Sequence, residues 1–447
     1  MSVLTGNMNS SNGPLMLQDG AKIAVIGGGP SGSFFSIFAL KMARMLGKEL
    51  EVTIFEPKDF CKDGPAGCNK CGGIISELLV QNLAVEGIML PDHLVRKGIN
   101  AYRLHSEEGE VVIESPGMER RIASVYRGGG PKGMVAGEFE GFDHFLLQQA
   151  IKEGAEHRSL RIDQLSLRDE KPVLYARQQE VMEADLLVGA FGLSSTAKLL
   201  QGLGFGYREP PAITTAIAEL LMTEETVREY FGSAINLFLL PDSGLKFAAM
   251  IPKGEYVTLC ILGRSITATT IDEFLAKPVV KRFLPDSVPY TITCRCLPKM
   301  SVGAPITPYT NRVVVCGDSG STRLYKDGLG AAYLMGKALA KTIVFHGVGN
   351  QHFEDVYRPV YDSIVQDNRY GRILFTATDI LRKQKFLTRG MLETVRNEQK
   401  SAGSKALSTV LWEMFTGNER YKNIFPKTLN PMMNISLLTN SFKALFK

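Results

Sequence analysis

The chain has 447 residues, 45% hydrophobic and 22% charged, with 51 Lys and Arg against 46 Asp and Glu. That length exceeds what one hydrophobic core serves, so two or three packed units are expected, and the composition excludes a disordered or collagen-like chain. A net charge of +5 permits an anionic surface or an acidic substrate as partner, but it is far from the basic footprint of a nucleic-acid binder.

Residues 1–20 are polar and include Asn9-Ser10-Ser11-Asn12-Gly13-Pro14; without the basic start and apolar run of a secretory leader, they read as a flexible arm. Residues 22–26 form an apolar run suited to a buried parallel strand, a helical pattern covers 32–46 with Gly47 as its stop, and a second strand follows at 51–55. A loop rich in Gly, Pro and Cys spans 58–73, and 75–83 reads as helix. Residues 101–104 and 111–114 form a hairpin across Glu107-Glu108-Gly109-Glu110. An amphipathic helix is expected over 142–154, with strands at 165–167, 173–176 and 184–188. From 213 to 262 the pattern is strand-rich, with 235–240, 246–251 and 256–262 forming an antiparallel sheet that turns at Pro252-Lys253-Gly254-Glu255. Residues 312–316 make another buried strand, a helix follows at 329–345, and beyond His346 nearly everything reads as helical.

The expected fold class is α/β. A Rossmann-type core takes 21–205 and 300–348, with 91–140 contributing in part to a second unit. That unit, at 206–299, is an inserted antiparallel β-sheet domain that binds substrate, and 349–447 is a C-terminal helical region. No run reaches the roughly 18 consecutive apolar residues of a membrane span, so any membrane contact is expected to be peripheral, from the cytoplasmic side. Seven cysteines, an odd number without a secretory leader, point to reduced thiols in the cytoplasm and no disulfides.

Gly27, Gly29 and Gly32 fill a G-x-G-x-x-G pattern that follows a strand and opens a helix, with Ser31 inside the turn. The first glycine turns the chain, the second lets backbone approach a pyrophosphate, and the third lets helix pack on strand. Free N–H groups and the helix dipole would then hold the anion. Glu56 closes the second strand, where a carboxylate can accept from a ribose diol. FAD and NAD share this signature. The choice comes from Gly317-Asp318, which ends a strand and offers a carboxylate to ribityl hydroxyls that only a flavin has. The following Lys326-Asp327-Gly328-Leu329-Gly330 starts a helix whose N-terminus is expected to face the flavin pyrimidine edge and stabilise the anionic reduced ring. FAD is the expected cofactor, Gly328 and Gly330 are assigned to its binding, and Lys326 is a catalytic candidate.

With these pieces in order, the chain resembles the geranylgeranyl reductase family, FAD-dependent oxidoreductases that share the aromatic-hydroxylase fold. The resemblance rests on Gly27, Gly29, Gly32 and Glu56, the run Cys71-Gly72-Gly73-Ile74-Ile75, the helix around Phe142-Asp143, the strand Ala184-Asp185-Leu186-Leu187-Val188-Gly189-Ala190, and Gly317-Asp318 with Gly328 and Gly330. It implies reduction of carbon–carbon double bonds in an isoprenoid or other hydrophobic or lipid substrate, by flavin hydride and a proton from a nearby acid. The electron donor, NADPH or ferredoxin, is left open. The resemblance also implies that Cys71 lies beside the flavin with Gly72 and Gly73, as proton donor, as gate, or as a small apolar loop residue.

Two departures stand out. Phe191-Gly192 occupies the place of an Asp-Gly pair in aromatic hydroxylases, and Glu140-Gly141 the place of an arginine often found before the Phe-Asp helix, for which Arg127 is a substitute that would reach the cofactor. The rival readings are a monooxygenase or halogenase of the same fold, and an electron-transfer flavoprotein. Halogenases of this class need tryptophans near the flavin, and the single tryptophan here is Trp412.

Gly128-Gly129-Gly130-Pro131-Lys132-Gly133 repeats the glycine spacing, but no helical pattern follows. It reads as a flexible loop beside the site, with Arg127 and Lys132 available to an anion. Cys61, Cys68 and Cys71 leave a redox dithiol open, whereas a metal site would need a fourth ligand and none is assigned. Two basic-apolar stretches, one over 382–387 and one over 441–447, read either as helices lying on an anionic membrane or as a cap on the second unit.

Overall fold

The computed structural model describes residues 15–70, 72–117, 120–134, 140–194, 197–242, 244–401 and 403–446. The expected N-terminal arm therefore falls mostly outside the described residues. Its end is docked: Leu17 is buried, and Leu15 accepts a backbone hydrogen bond of 2.7 Å from Val348.

The core sheet runs in the order Tyr309–Thr310, Val313–Val315, Leu186–Gly189, Ala21–Ile26, Leu50–Phe55, Glu156–Arg158. All neighbours are parallel except the first pair. Ala21–Ile26 is hydrogen-bonded on both edges, which is why its sequence is a continuous apolar run rather than an alternating one. Helix α1 spans Pro30–Met45 and begins two residues before the expected start, because proline suits a first helical position that needs no N–H. Helix α2 covers Phe142–Lys152 and α3 covers Gly328–Phe345. Helices α1 and α3 touch at Gly336, where an added Cβ would sit 2.9 Å from the Phe35 nitrogen.

The second sheet follows the order Thr291–Cys296, Ala212–Leu221, Tyr256–Gly263, Leu245–Lys253, Ala234–Phe238, Ala101–Ser106, Gly109–Glu114, with Lys299–Ser301 also on Ala212–Leu221. The early hairpin thus joins strands more than a hundred residues later, running parallel to Ala234–Phe238. Three local expectations are corrected. Residues Ile74–Ser76 are a strand and the helix starts at Glu77, because Ser76 caps it by accepting from the Leu79 N–H at 3.2 Å. The strand expected over 184–188 runs instead over Leu186–Gly189, after Asp185, whose carboxylate accepts from the Lys22 N–H at 3.0 Å and pairs with Lys171 at 2.8 Å. Within the strand-rich block, Glu224–Tyr230 is helical behind a Thr223 cap.

Five further helices close the chain: α4 Arg358–Lys383, α5 Lys385–Lys400, α6 Ala406–Thr416, α7 Tyr421–Lys427 and α8 Pro431–Leu445. They share one core with the second sheet, in which Tyr102, Leu104 and Ile113 meet Leu392, Val395 and Trp412. No helix among the described residues is long and apolar enough to cross a membrane.

Trp412 is the keystone of that shared core. It is 0% exposed, lies edge-on to Tyr102 at 5.3 Å, and donates its indole N–H to the Arg120 carbonyl at 3.0 Å. Trp412→Ala is expected to lower stability by about 3–5 kcal/mol in urea unfolding; an unchanged midpoint would show that helices and sheet do not depend on this contact.

Candidate functional site

The glycine turn after Ala21–Ile26 has two kinds of glycine. Gly27 holds φ +111°, and a Cβ there would run into the Ala190 carbonyl; a Cβ on Gly32 would run into the Gly27 carbonyl. Both are required by the chain itself. Gly29 is different: a Cβ added there would meet only Asn69 Nδ2, at 3.8 Å, and the residue faces a cavity. No side chain caps α1, so its first-turn N–H groups remain available to an anion. Glu56 is pinned beside the turn, accepting from the Gly28 N–H at 3.0 Å and the Lys58 N–H at 2.8 Å. A carboxylate has about four acceptor sites, so capacity remains for a diol. Gly317, at φ +73°, packs directly on the Ser31 side chain and joins the second motif to the first.

One cavity of about 710 Å³ runs from this turn to the second sheet, within the range of pockets that enclose small molecules and cofactors. Gly27, Gly29, Ser31 and Glu56 line one end; Gly72, Gly73, Arg127, Asp318, Gly328 and Lys326 follow. The far wall is apolar and comes from alternate residues on one face of the sheet: Ile235 and Leu237, Phe247, Ala249 and Ile251, then Cys260 and Leu262. Register holds these together, since Leu237 pairs with Ala249, and Ala249 with Cys260. Gly72 lies against this wall, where an added Cβ would sit 3.2 Å from the Cys260 sulfur, and Gly73, at φ +65°, packs on the Val125 carbonyl with no room for a Cβ.

Arg127 reaches the cavity wall but spends its guanidinium on Asp143, which is fully buried in the first turn of α2; Nε bonds Oδ1, and Nη2 bonds Oδ2 at 2.8 Å. The glycine run after it is packed rather than loose, since Gly128 abuts the Gly67 carbonyl and Gly129 the Cys61 carbonyl. Asp318 is exposed to the cavity, at its wall. Burial raises its carboxyl above the ordinary range, against the opposing pull of the Thr322 hydroxyl and Arg127.

The N-terminus of α3 differs from expectation. Asp327, at φ +52°, caps it and accepts from the Gly330 N–H at 3.2 Å, so that donor faces a carboxylate rather than a cofactor ring. Gly330 is not a cavity wall; its hydrogen makes room for Asp327, whose Oδ1 would lie 2.5 Å from a Cβ. Gly328 does line the cavity. Lys326 has a buried Nζ without a hydrogen-bond partner, 4.9 Å from the Phe415 ring centroid and 5.7 Å from that of Phe375. Burial drives its amine well below the ordinary 10.5, Arg323 pushes the same way, and Asp327 opposes them.

Cys71 lies outside the described residues. The described part of the cysteine cluster is split. Cys61 sits beside His144, with Sγ 3.3 Å from Nδ1, whereas Cys68 lines a small second chamber with Cys294 and Cys296. Burial pushes the Cys296 thiol up to about 11. The chamber shares Lys70, Arg127 and Ile217 with the main cavity and contains half-buried Glu219 and buried Lys253. None of Cys294, Cys296, Glu219, Lys253 or the rings around Lys326 stands near a motif, so only spatial pairing reveals them. Among the described residues, no three His, Cys, Asp or Glu side chains are grouped to hold a metal ion.

No family model and no curated protein matches the sequence. Solved structures do match. A geranylgeranyl bacteriochlorophyll reductase-like protein of Thermoplasma acidophilum superposes with a TM-score of 0.66 at 14% identity, over 92% of this chain and 100% of that one. A flavoprotein/dehydrogenase of Cytophaga hutchinsonii gives 0.62 at 13%, over 95% and 100%. The halogenase PltM in complex with phloroglucinol and FAD gives 0.59 at 13%, over 91% and 85%. At these identities the likeness establishes the fold alone, the one shared by this reductase-like protein, this flavoprotein and this halogenase.

The two kinds of glycine predict opposite behaviour. Gly29→Ala is expected to cost about 1 kcal/mol or less, as a poorer cap, yet to abolish retention of flavin absorbance on purification. Gly32→Ala is expected to destabilise the fold by about 1–3 kcal/mol or more through overpacking, read by thermal unfolding. Full flavin retention by Gly29→Ala would remove the turn from the binding site.

Proposed function

We propose that the chain is an FAD-dependent oxidoreductase that reduces carbon–carbon double bonds of an isoprenoid or similarly hydrophobic substrate. One observation carries this reading: a single cavity joins an anion-binding glycine turn to an apolar sheet face. The likeness to a reductase-like protein supports the direction of the chemistry. Gly27, Gly29, Ser31, Glu56 and Asp318 fit the cofactor, because Gly29 leaves open the space a Cβ would fill and Asp318 presents a carboxyl at the adjoining wall. Gly72, Gly73, Arg127 and Gly328 line its course, while Gly32 and Gly317 keep the turn closed behind it.

When bound and reduced, FAD supplies the hydride. The chain does the rest. The wall of Leu237, Ala249, Ile251 and Leu262 holds the substrate's hydrocarbon at about 0.8 kcal/mol for each methylene buried, and it keeps water from the reacting carbon. Lys326 Nζ holds the proton for the second carbon. An ammonium without hydrogen-bonded partners, depressed by burial, releases its proton more readily than a solvated lysine. By the family resemblance, Cys71 is the alternative proton source or gate. The electron donor is a reduced nicotinamide or a ferredoxin-type carrier.

The reading is tested by reducing the purified holoprotein anaerobically and screening polyprenyl lipids and quinones by mass for a gain of two hydrogens. No gain on any isoprenoid, with oxygenated or halogenated product under air, would replace it with the monooxygenase or halogenase reading.

Lys326→Met is expected to lower turnover by about 10²–10⁴-fold with flavin still bound, and to remove the loss of rate that the parent shows as pH rises through the depressed lysine value. Stability should move the other way. Between that value and the ordinary 10.5 the unfolded chain binds one more proton than the folded one, so the parent gains stability as pH rises. The methionine variant should lack this slope and be more stable at neutral pH in urea unfolding. A parent-like slope would show that Lys326 is solvated.

A further inference from the structure

Helix α8 is apolar on two sides, and only one is covered. Its inner side, Met433, Leu437 and Ser441, lies toward α5, where Ser441 packs so closely on Gly390 that no larger residue would fit. The outer side carries Met432 (81% exposed), Ile435 (64%), Leu438 (63%), Phe442 (64%) and Phe446 (78%), spaced three or four residues apart. That spacing places them along one face of the helix. A helix apolar on all sides is normally buried, and this outer stripe stands in water. It is too short and too firmly docked on α5 to cross a bilayer.

Charge identifies the occupant. From Arg420 to the end the sequence contains Arg420, Lys422, Lys427, Lys443 and Lys447, and no acidic residue. Lys427 is tied to Glu413, while Lys443 stands exposed on α8. A second copy of the chain, meeting this stripe across a two-fold axis, would bring like basic segments together. An anionic lipid surface instead accepts the apolar stripe among its acyl chains and the cations among its headgroups.

We propose that α8 is an in-plane membrane anchor, seating the protein on anionic bilayers through the stripe Met432, Ile435, Leu438, Phe442 and Phe446. The anchor is independent of the reaction proposed for the cavity, and its test does not use turnover.

The full-length holoprotein is floated with vesicles of phosphatidylcholine alone and of phosphatidylcholine with phosphatidylserine. The protein is expected to float with the anionic vesicles and to be released by raised salt. The combined variant Ile435→Asp, Leu438→Asp, Phe442→Asp should lose at least tenfold in bound fraction, with its flavin retained and its circular dichroism unchanged. Lys443→Glu should weaken binding by roughly fivefold or more. Absence of flotation on anionic vesicles would overturn the proposal. So would a parent dimer in sedimentation velocity that the triple variant dissolves, because the stripe would then belong to a second copy.

Discussion

Asp143 is a carboxylate with no solvent exposure, and the cavity is built around what that demands. Removing a charge from water costs several kcal/mol, which only a well-placed partner offsets. Arg127 supplies two hydrogen bonds, and Asn69 adds another. The pair fixes the end of Ile122–Val125 against the first turn of α2 and the cysteine-rich loop. Losing either partner leaves an uncompensated charge, typically about 3–5 kcal/mol. The cavity wall, the α2 N-terminus and the loop before Gly72 are therefore set by one interaction.

The glycine-turn end of the cavity was legible in the sequence because its determinants are local. Gly27, Gly29, Gly32 and Glu56 lie on consecutive elements of one strand–helix–strand unit, and the conformations they need are properties of neighbouring backbone. Gly317-Asp318 was legible for the same reason. The apolar sheet end was less so. Alternation announced a sheet, but not that Ala101–Ser106 would join Ala234–Phe238, because parallel pairing between segments that far apart leaves no trace in either. The aromatic surroundings of Lys326 come from Phe375 in α4 and Phe415 in α6, so its lost solvation was invisible. The helix expected over 75–83 began late because the weight of its apolar residues hid a capping serine at Ser76.

Lys326 and Trp412 make a contrast within one region. The indole buries a large ring and satisfies its single donor, as a structural residue should. The lysine buries an amine and satisfies nothing. A core built for stability alone would have placed a hydrocarbon there, so the amine is a cost carried by the surrounding aromatic packing. The Arg323 side chain shows the compensated alternative nearby, bonded to Asp327 at 2.7 Å and to the Gly417 carbonyl at 2.6 Å.

The chain passes between the two sheets four times: before Ala101, after Glu114, before Ala212 and after Ser301. The two sheets are thus tied to each other by four covalent connections rather than by one. Phe191 to Ser194, on the connection that leaves the core sheet for Ala212–Leu221, and Leu297 to Ser301, where the chain is about to return, line the cavity, so the covalent ties between the sheets are also part of its wall.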